Sequence, residues 1–234
     1  MSEFEPDKAS AREDLFRFLS ACYYEPAPEF AEEKLFDSIR LAAARVDPDL
    51  ADAARRLGEA FAAQDLQTLL VDYTRLFLGP IKAIANPYGA SWLTSPVATD
   101  DNPLPAVLAL YSEGGFEIDP DFRELPDHVA VELEFLYLLT FKRNRAQAAG
   151  KADESAAVDQ LRKRFLGEHL GVWIGPFAVA IKQGAETAFY RELAELTERF
   201  LTMESALIDL DQSSSNASGT RMDQSRPLPR NTFL

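Results

Sequence analysis

The sequence predicts an all-α protein, a single-domain helical bundle interrupted by one long functional loop. Apolar residues return at helical spacing in one segment after another. Capping residues and prolines mark the ends of those segments. Strand signals are poor, because period-two alternation is weak and hairpin dipeptides are missing.

The elements follow in order. Ser10 and Glu13 make an S-x-x-E capping box before Leu15, Phe18, Leu19 and Cys22, four residues of one helix face. Pro26 and Pro28 end that helix, and a second spans Glu29 to Arg45. Asp47-Pro48 supplies an N-cap and a first-turn proline for a third, reaching Ala63. Asp65 caps a fourth, in which Leu66, Leu69, Leu70, Tyr73, Leu76 and Phe77 recur until Gly79-Pro80 ends it. Residues 81–102 form a connection long enough to suggest function.

A short helix over Pro103 to Ser112 follows, then a loop through Asp119-Pro120-Asp121. Pro126 suits the first turn of the next helix, which runs to Arg145. Its apolar residues surround most of its circumference, which places it in the middle of the bundle. Further helices are expected over Ala152 to Leu166, over Leu170 to Ile181 with a kink or break at Gly175-Pro176, and over Glu186 to Asp209. The serine-rich composition after Leu210 predicts a folded body over 1–210 and a disordered tail over 211–234.

Composition narrows the function. Hydrophobic residues make up 47% of the 234, enough for a buried core. Lysine and arginine number 24 against 38 Asp and Glu, a net charge of −14. That balance argues against nucleic acid and anionic membranes and suits a basic peptide partner. A plainer account is that the charge confers solubility only. Cys22 is the sole cysteine, so no internal disulfide forms, and its neighbours Tyr23 and Tyr24 suggest a packing role. The charged N-terminus lacks a secretory h-region and no run of 18 apolar residues exists, which favours the cytoplasm.

Asp127-His128 is the most enzyme-like feature. With Pro126 opening a helix, both fall in its first turn, with Glu124 before them and Glu132 one turn beyond. An enzyme would use His128 as a general base oriented by Asp127. The alternative is a capping network that ties the loop to the helix. A metal site finds no support, since the chain has only His128 and His169, without the paired Glu-x-x-His of a di-iron bundle. Nucleotide and hydrolase fingerprints are also missing, so no cofactor is expected. Tyr88, Ser91 and Trp92, in the long connection, could line a peptide groove or fill the core.

Several motifs in one order carry a family resemblance. They are Arg12-x-x-Leu15-Phe16-x-Phe18-Leu19, Tyr73-x-Arg75-Leu76-Phe77-x-Gly79-Pro80, Pro87-Tyr88-x-x-Ser91, Glu124-x-Pro126-Asp127-His128-x-x-x-Glu132-Leu133-x-Phe135 and His169-x-x-x-Trp173. Together they resemble the TorD/DmsD/NarJ family, a resemblance that covers about residues 12–210. That resemblance implies an all-helical cytoplasmic chaperone, not an enzyme. It implies binding to the twin-arginine leader, or the N-terminus, of the catalytic subunit of a molybdopterin oxidoreductase. Family members delay export or membrane attachment until the cofactor is inserted, and some form homodimers.

By position, the resemblance assigns peptide binding to Leu76, Phe77, Gly79, Pro80, Tyr88, Ser91, Trp92, Asp127 and His128. The family often carries an acidic residue just before the loop serine, and Ala90 stands there instead. A leader arginine would then turn to Glu124 or Glu132. On this basis, Asp127→Ala or His128→Ala should weaken leader binding with little loss of fold. Two other readings compete: a small acid-base enzyme using Asp127, His128 and Glu132, and a helical adaptor without peptide specificity.

Overall fold

Burial of one apolar stripe per helix builds the molecule. The computed structural model describes residues 6–79, 82–93, 104–119 and 123–219, with side chains through Ile208. Among these the architecture is all-α, and the one ladder contact is an isolated antiparallel bridge between Tyr88 and His128. No described helix is long and apolar enough to cross a membrane.

Helix α1 runs from Pro6 to Cys22, a turn earlier than the expected capping box, so Ser10 lies inside the helix. Ala11, Leu15, Phe16 and Leu19 are fully buried along it, and Cys22 is buried with them as a free thiol. The expected second helix is two, α2 over Glu29–Glu32 and α3 over Leu35–Val46. Lys34, in the left-handed region at φ 53°, joins them. The split follows burial. No residue of α2 is buried, whereas α3 sends Leu35, Phe36, Ile39, Ala42, Ala43 and Val46 inward.

Asp47 caps α4, Pro48–Ala62, as the sequence predicts, with its carboxylate accepting from the Asp49 and Leu50 amides. Such a cap contributes about 1 kcal/mol. Asp65 likewise accepts from Thr68 at the start of α5, Leu66–Tyr73. Its continuation is a π-turn over Thr74–Leu78, closed by the Gly79 amide on the Thr74 carbonyl at 2.7 Å. Gly79 has φ 60° and ψ 155°, and a Cβ there would lie 2.3 Å from the Lys82 carbonyl oxygen. Only glycine fits this exit.

Helix α6 spans Leu104–Gly114, and α7 spans Val129–Ala148. The near-circumferential apolarity of α7 is answered by its position, with α1 packed on one side and α8, Ala152–Glu168, on another. Helix α9, Leu170–Gly184, is continuous through Pro176, where a kink or break was expected. Val172 and Pro176 are both exposed, so the carbonyl that proline leaves without an intrahelical donor faces water. Helix α10 spans Ala188–Gly219 and packs on α4, α8 and α9. The expected boundary at 210 falls inside it, and 220–234 lie outside the described residues.

Two buried polar networks lock the bundle. Glu204 on α10 meets Arg162 of α8 at 2.7 Å and Arg12 of α1 at 3.0 Å, joining three helices. Asp72, near the end of α5, accepts from the Glu186 and Thr187 amides and the Thr187 hydroxyl, just before α10. Arg75 adds a 2.8 Å contact to Asp72 and donates to the Gly184 carbonyl. Burial pushes the Asp72 carboxyl up, but these donors outweigh it and hold it below its ordinary value.

Candidate functional site

The site grows from the start of α7, which begins at Val129 rather than in a turn opened by Pro126. His128 is its N-cap, and the imidazole Nδ1 accepts from the Ala130 amide at 3.2 Å. That bond places the ring proton on Nε2. Tyr24 stacks on the ring at 5.8 Å and Tyr88 meets it edge-on at 5.2 Å. Burial disfavours the imidazolium and lowers the His128 pKa, against the pull of Glu124 and Asp127. The positive end of the α7 dipole works in the same direction as burial.

Asp127 turns the other way. Its Oδ2 accepts from the Ala90 amide at 2.9 Å, and its carbonyl accepts from Gly89 at 2.8 Å. The Val129 amide donates to the Pro87 carbonyl, also at 2.8 Å. These bonds, with the Tyr88–His128 bridge, bind the loop to the helix entry. The capping network therefore accounts for the pair. In an acid-base pair Asp127 would orient the imidazole, but its bonded oxygen is spent on Ala90. Its other oxygen, Oδ1, is buried and has no hydrogen-bond partner.

At the rim, Tyr88 is half-buried and its hydroxyl donates to Glu124 Oε1 at 2.9 Å, an oxygen that also accepts from the Leu125 amide. Burial and this carboxylate push the phenol up to about 12. The Trp92 indole donates to the Asn86 carbonyl at 2.8 Å and its ring meets Phe177 at 6.2 Å. Ser91 is exposed beside it, and so is Leu125. The result is a small acidic and aromatic face over the α7 entry.

Of the residues expected to touch a peptide, Tyr88, Ser91, Trp92 and Glu124 reach the surface here, with Asp127 and His128 directly beneath. Leu76 and Phe77 do not; they are 0% and 3% exposed. The π-turn rotates both inward, where Phe77 packs against Tyr23, Tyr73, Phe177 and Tyr190. Gly79 is partly exposed at the turn's exit, and Pro80 lies outside the described residues.

Glu132 also departs from expectation. It is 0% exposed, so it meets no surface ligand and forms no cluster with His128. Its Oε1 lies 2.8 Å from His169 Nε2, and its Oε2 accepts from the Trp173 indole at 3.2 Å. The sequence held one sign of this arrangement, the shared His169-x-x-x-Trp173 spacing, but not the partner. Asp72 escaped notice entirely; a lone acid among Leu69, Leu70 and Val71 is the signal that marks it. Because Asp127 and His128 are buried and hold the loop, alanine at either position would disturb the loop as well as a ligand, contrary to the mild effect on fold expected from sequence.

Comparison with known proteins agrees with this architecture. The sequence profile described as nitrate reductase delta subunit matches residues 43–179. A chaperone protein TorD of Vibrio parahaemolyticus is 32% identical over 159 residues, covering 68% of this chain and 72% of that protein. A TorD of Shewanella loihica is 28% identical over 180 residues, covering 74% and 78%. A crystal structure described as a redox enzyme maturation protein from Archaeoglobus fulgidus superposes with a TM-score of 0.50 at 21% identity. That match covers 86% of this chain and 96% of the other, and it supports the all-helical fold. The chain belongs to the TorD/DmsD/NarJ family of molybdoenzyme maturation chaperones.

Proposed function

We propose that this chain binds the twin-arginine leader, or the N-terminal segment, of a molybdoenzyme catalytic subunit in the cytoplasm, and retains that subunit until its cofactor is inserted. The observation that carries the reading is the unpartnered Oδ1 of Asp127 beneath an acidic, aromatic loop face. A buried carboxylate oxygen without a donor is costly, and a guanidinium is the donor that best matches it. Glu124, partly exposed at the rim, offers the first contact to an incoming arginine. Reaching Asp127 then requires the Gly89–Ser91 turn to lift, so binding and loop movement are coupled. Tyr88, Trp92 and Leu125 give apolar contact to the leader's hydrophobic middle. The net charge of −14 draws a basic peptide from a distance. Glu132, already occupied below, is not the arginine acceptor.

Asp127→Asn and Glu124→Gln test this better than alanine. Asparagine keeps an acceptor for the Ala90 amide and removes only the charge. Titration calorimetry with an arginine-containing leader peptide should show binding about tenfold weaker for Asp127→Asn, a loss of about 1.4 kcal/mol. A peptide with both arginines replaced by glutamine should bind the parent and variant alike. If Asp127→Asn and Glu124→Gln both bind the leader as tightly as the parent, with the same salt dependence, the carboxylates do not receive it.

A further inference from the structure

Beneath the loop lies a polar cluster that peptide contact does not use. Glu132 projects from α7 into the core, where His169, at the α8–α9 junction, and Trp173 of α9 occupy its two oxygens. The Gly89–Ser91 turn rests on this cluster. A Cβ at Gly89 would lie 3.1 Å from the Trp173 indole nitrogen and 3.2 Å from Glu132 Oε1. No side chain fits between turn and cluster without displacing one of them. Trp173 also packs edge-on against Phe177 at 5.3 Å, and Phe177 meets Trp92 at 6.2 Å. The cluster thus reaches the surface by two routes, one through Gly89 and one through Phe177.

We propose that Glu132, His169 and Trp173 are positioning residues, a buried seat that sets the height of the Gly89–Ser91 turn and hence the presentation of Tyr88, Ser91 and Trp92. A buried carboxylate is a poor way to gain stability, since an apolar side chain of similar volume usually serves as well. It is a good way to fix two neighbours in one orientation, because each oxygen accepts from a different donor. With the carboxylate ionised, Oε1 accepts the His169 Nε2 proton and Oε2 the Trp173 indole proton. Protonation of Oε1 reverses the first bond, so the His169 ring proton must move to Nδ1, while the Trp173 bond to Oε2 persists. The other titratable groups facing Glu132 are Asp127, from the approach to α7, and Tyr111 of α6, whose hydroxyl donates to the Pro126 carbonyl at 2.7 Å. Both lie next to the same loop anchor, so a change at the seat is felt where the loop is tied down.

The seat acts on the leader only if the loop face is the leader site, so the test has one arm that needs no peptide. In proton–nitrogen correlation spectra, the Trp173 indole and the Ala90 and Ser91 amides should shift together with pH, with a midpoint near 7. Glu132→Gln should abolish that shared titration. Gly89→Ala should displace the Ala90 and Ser91 signals with no change of charge, and it changes one methyl outside the core helices should Glu132→Gln fold poorly. In the second arm, both variants should bind a leader peptide about tenfold more weakly. Unchanged Ala90 and Ser91 signals in Gly89→Ala, or an undiminished titration in Glu132→Gln, would overturn the seat. A parent protein that binds no leader while the spectral changes appear would overturn the leader site and leave the seat standing.

Discussion

Between pH 5 and pH 8 the parent protein should lose about 3 kcal/mol of stability relative to Glu132→Gln. Burial pushes the Glu132 carboxyl from its ordinary 4.5 to about 7, with the His169 and Trp173 bonds opposing that rise only in part. Between those values the folded chain holds a proton that the unfolded chain has released. The folded state then binds more protons, so unfolding free energy falls as pH rises. The contribution is full below pH 4.5, declines across the window and is gone above 7. His128 has the opposite slope: its pKa is lowered by burial, so its contribution is lost as pH falls below 6.5. Comparison with Glu132→Gln cancels the His128 contribution, which both proteins share. Urea unfolding at half-unit pH intervals reads the difference. Parallel curves for the two proteins would show that Glu132 does not change protonation on folding.

Asp72→Ala should cost about 3 to 5 kcal/mol, the largest loss expected from a single site near the loop. Removing this carboxylate strands the Glu186 and Thr187 amides and the Thr187 hydroxyl, and takes one of its partners from Arg75, in a place where Asp72 itself is 1% exposed. For a chain of this length the melting temperature should fall by about 10 °C. Asp72→Asn should lose less, because the amide oxygen still accepts from the backbone. The site should suffer with the fold, since Asp72 and Arg75 anchor the π-turn and the Ala85 amide on the Leu76 carbonyl starts the loop's return. A melting temperature within 2 °C of the parent would mean water replaces the carboxylate at no cost.

Much of the fold was legible because its signals are local. Asp47 and Asp65 cap helices as their spacing predicts, since an N-cap needs only a short acceptor and the amides two or three residues on. The all-round apolarity of α7 announced a helix packed on more than one side. Ser10 misled for the same local reason: a capping box is a preference of about 1 kcal/mol, and helix continuation from Pro6 outweighs it. Leu76 and Phe77 misled because family position says which residues matter but not which way they point. The π-turn adds one residue to the helical turn, and that rotation sends both inward.

The sequence by itself determined the helix count among the described residues to within a split or two, the net acidity and the family. Each of these follows from periodicity, composition or the order of short motifs. Only the tertiary structure decided which carboxylates reach the loop face and which are buried. Glu124, Asp127 and Glu132 look alike in the chain, spaced over nine residues. Folding places Glu124 at the rim, Asp127 under the turn with one free oxygen, and Glu132 in the core on His169 and Trp173. A carboxylate's role depends on its donors and on its distance from water. Both are set by residues up to 41 positions away in sequence, as with Trp173, which only the packed bundle brings together.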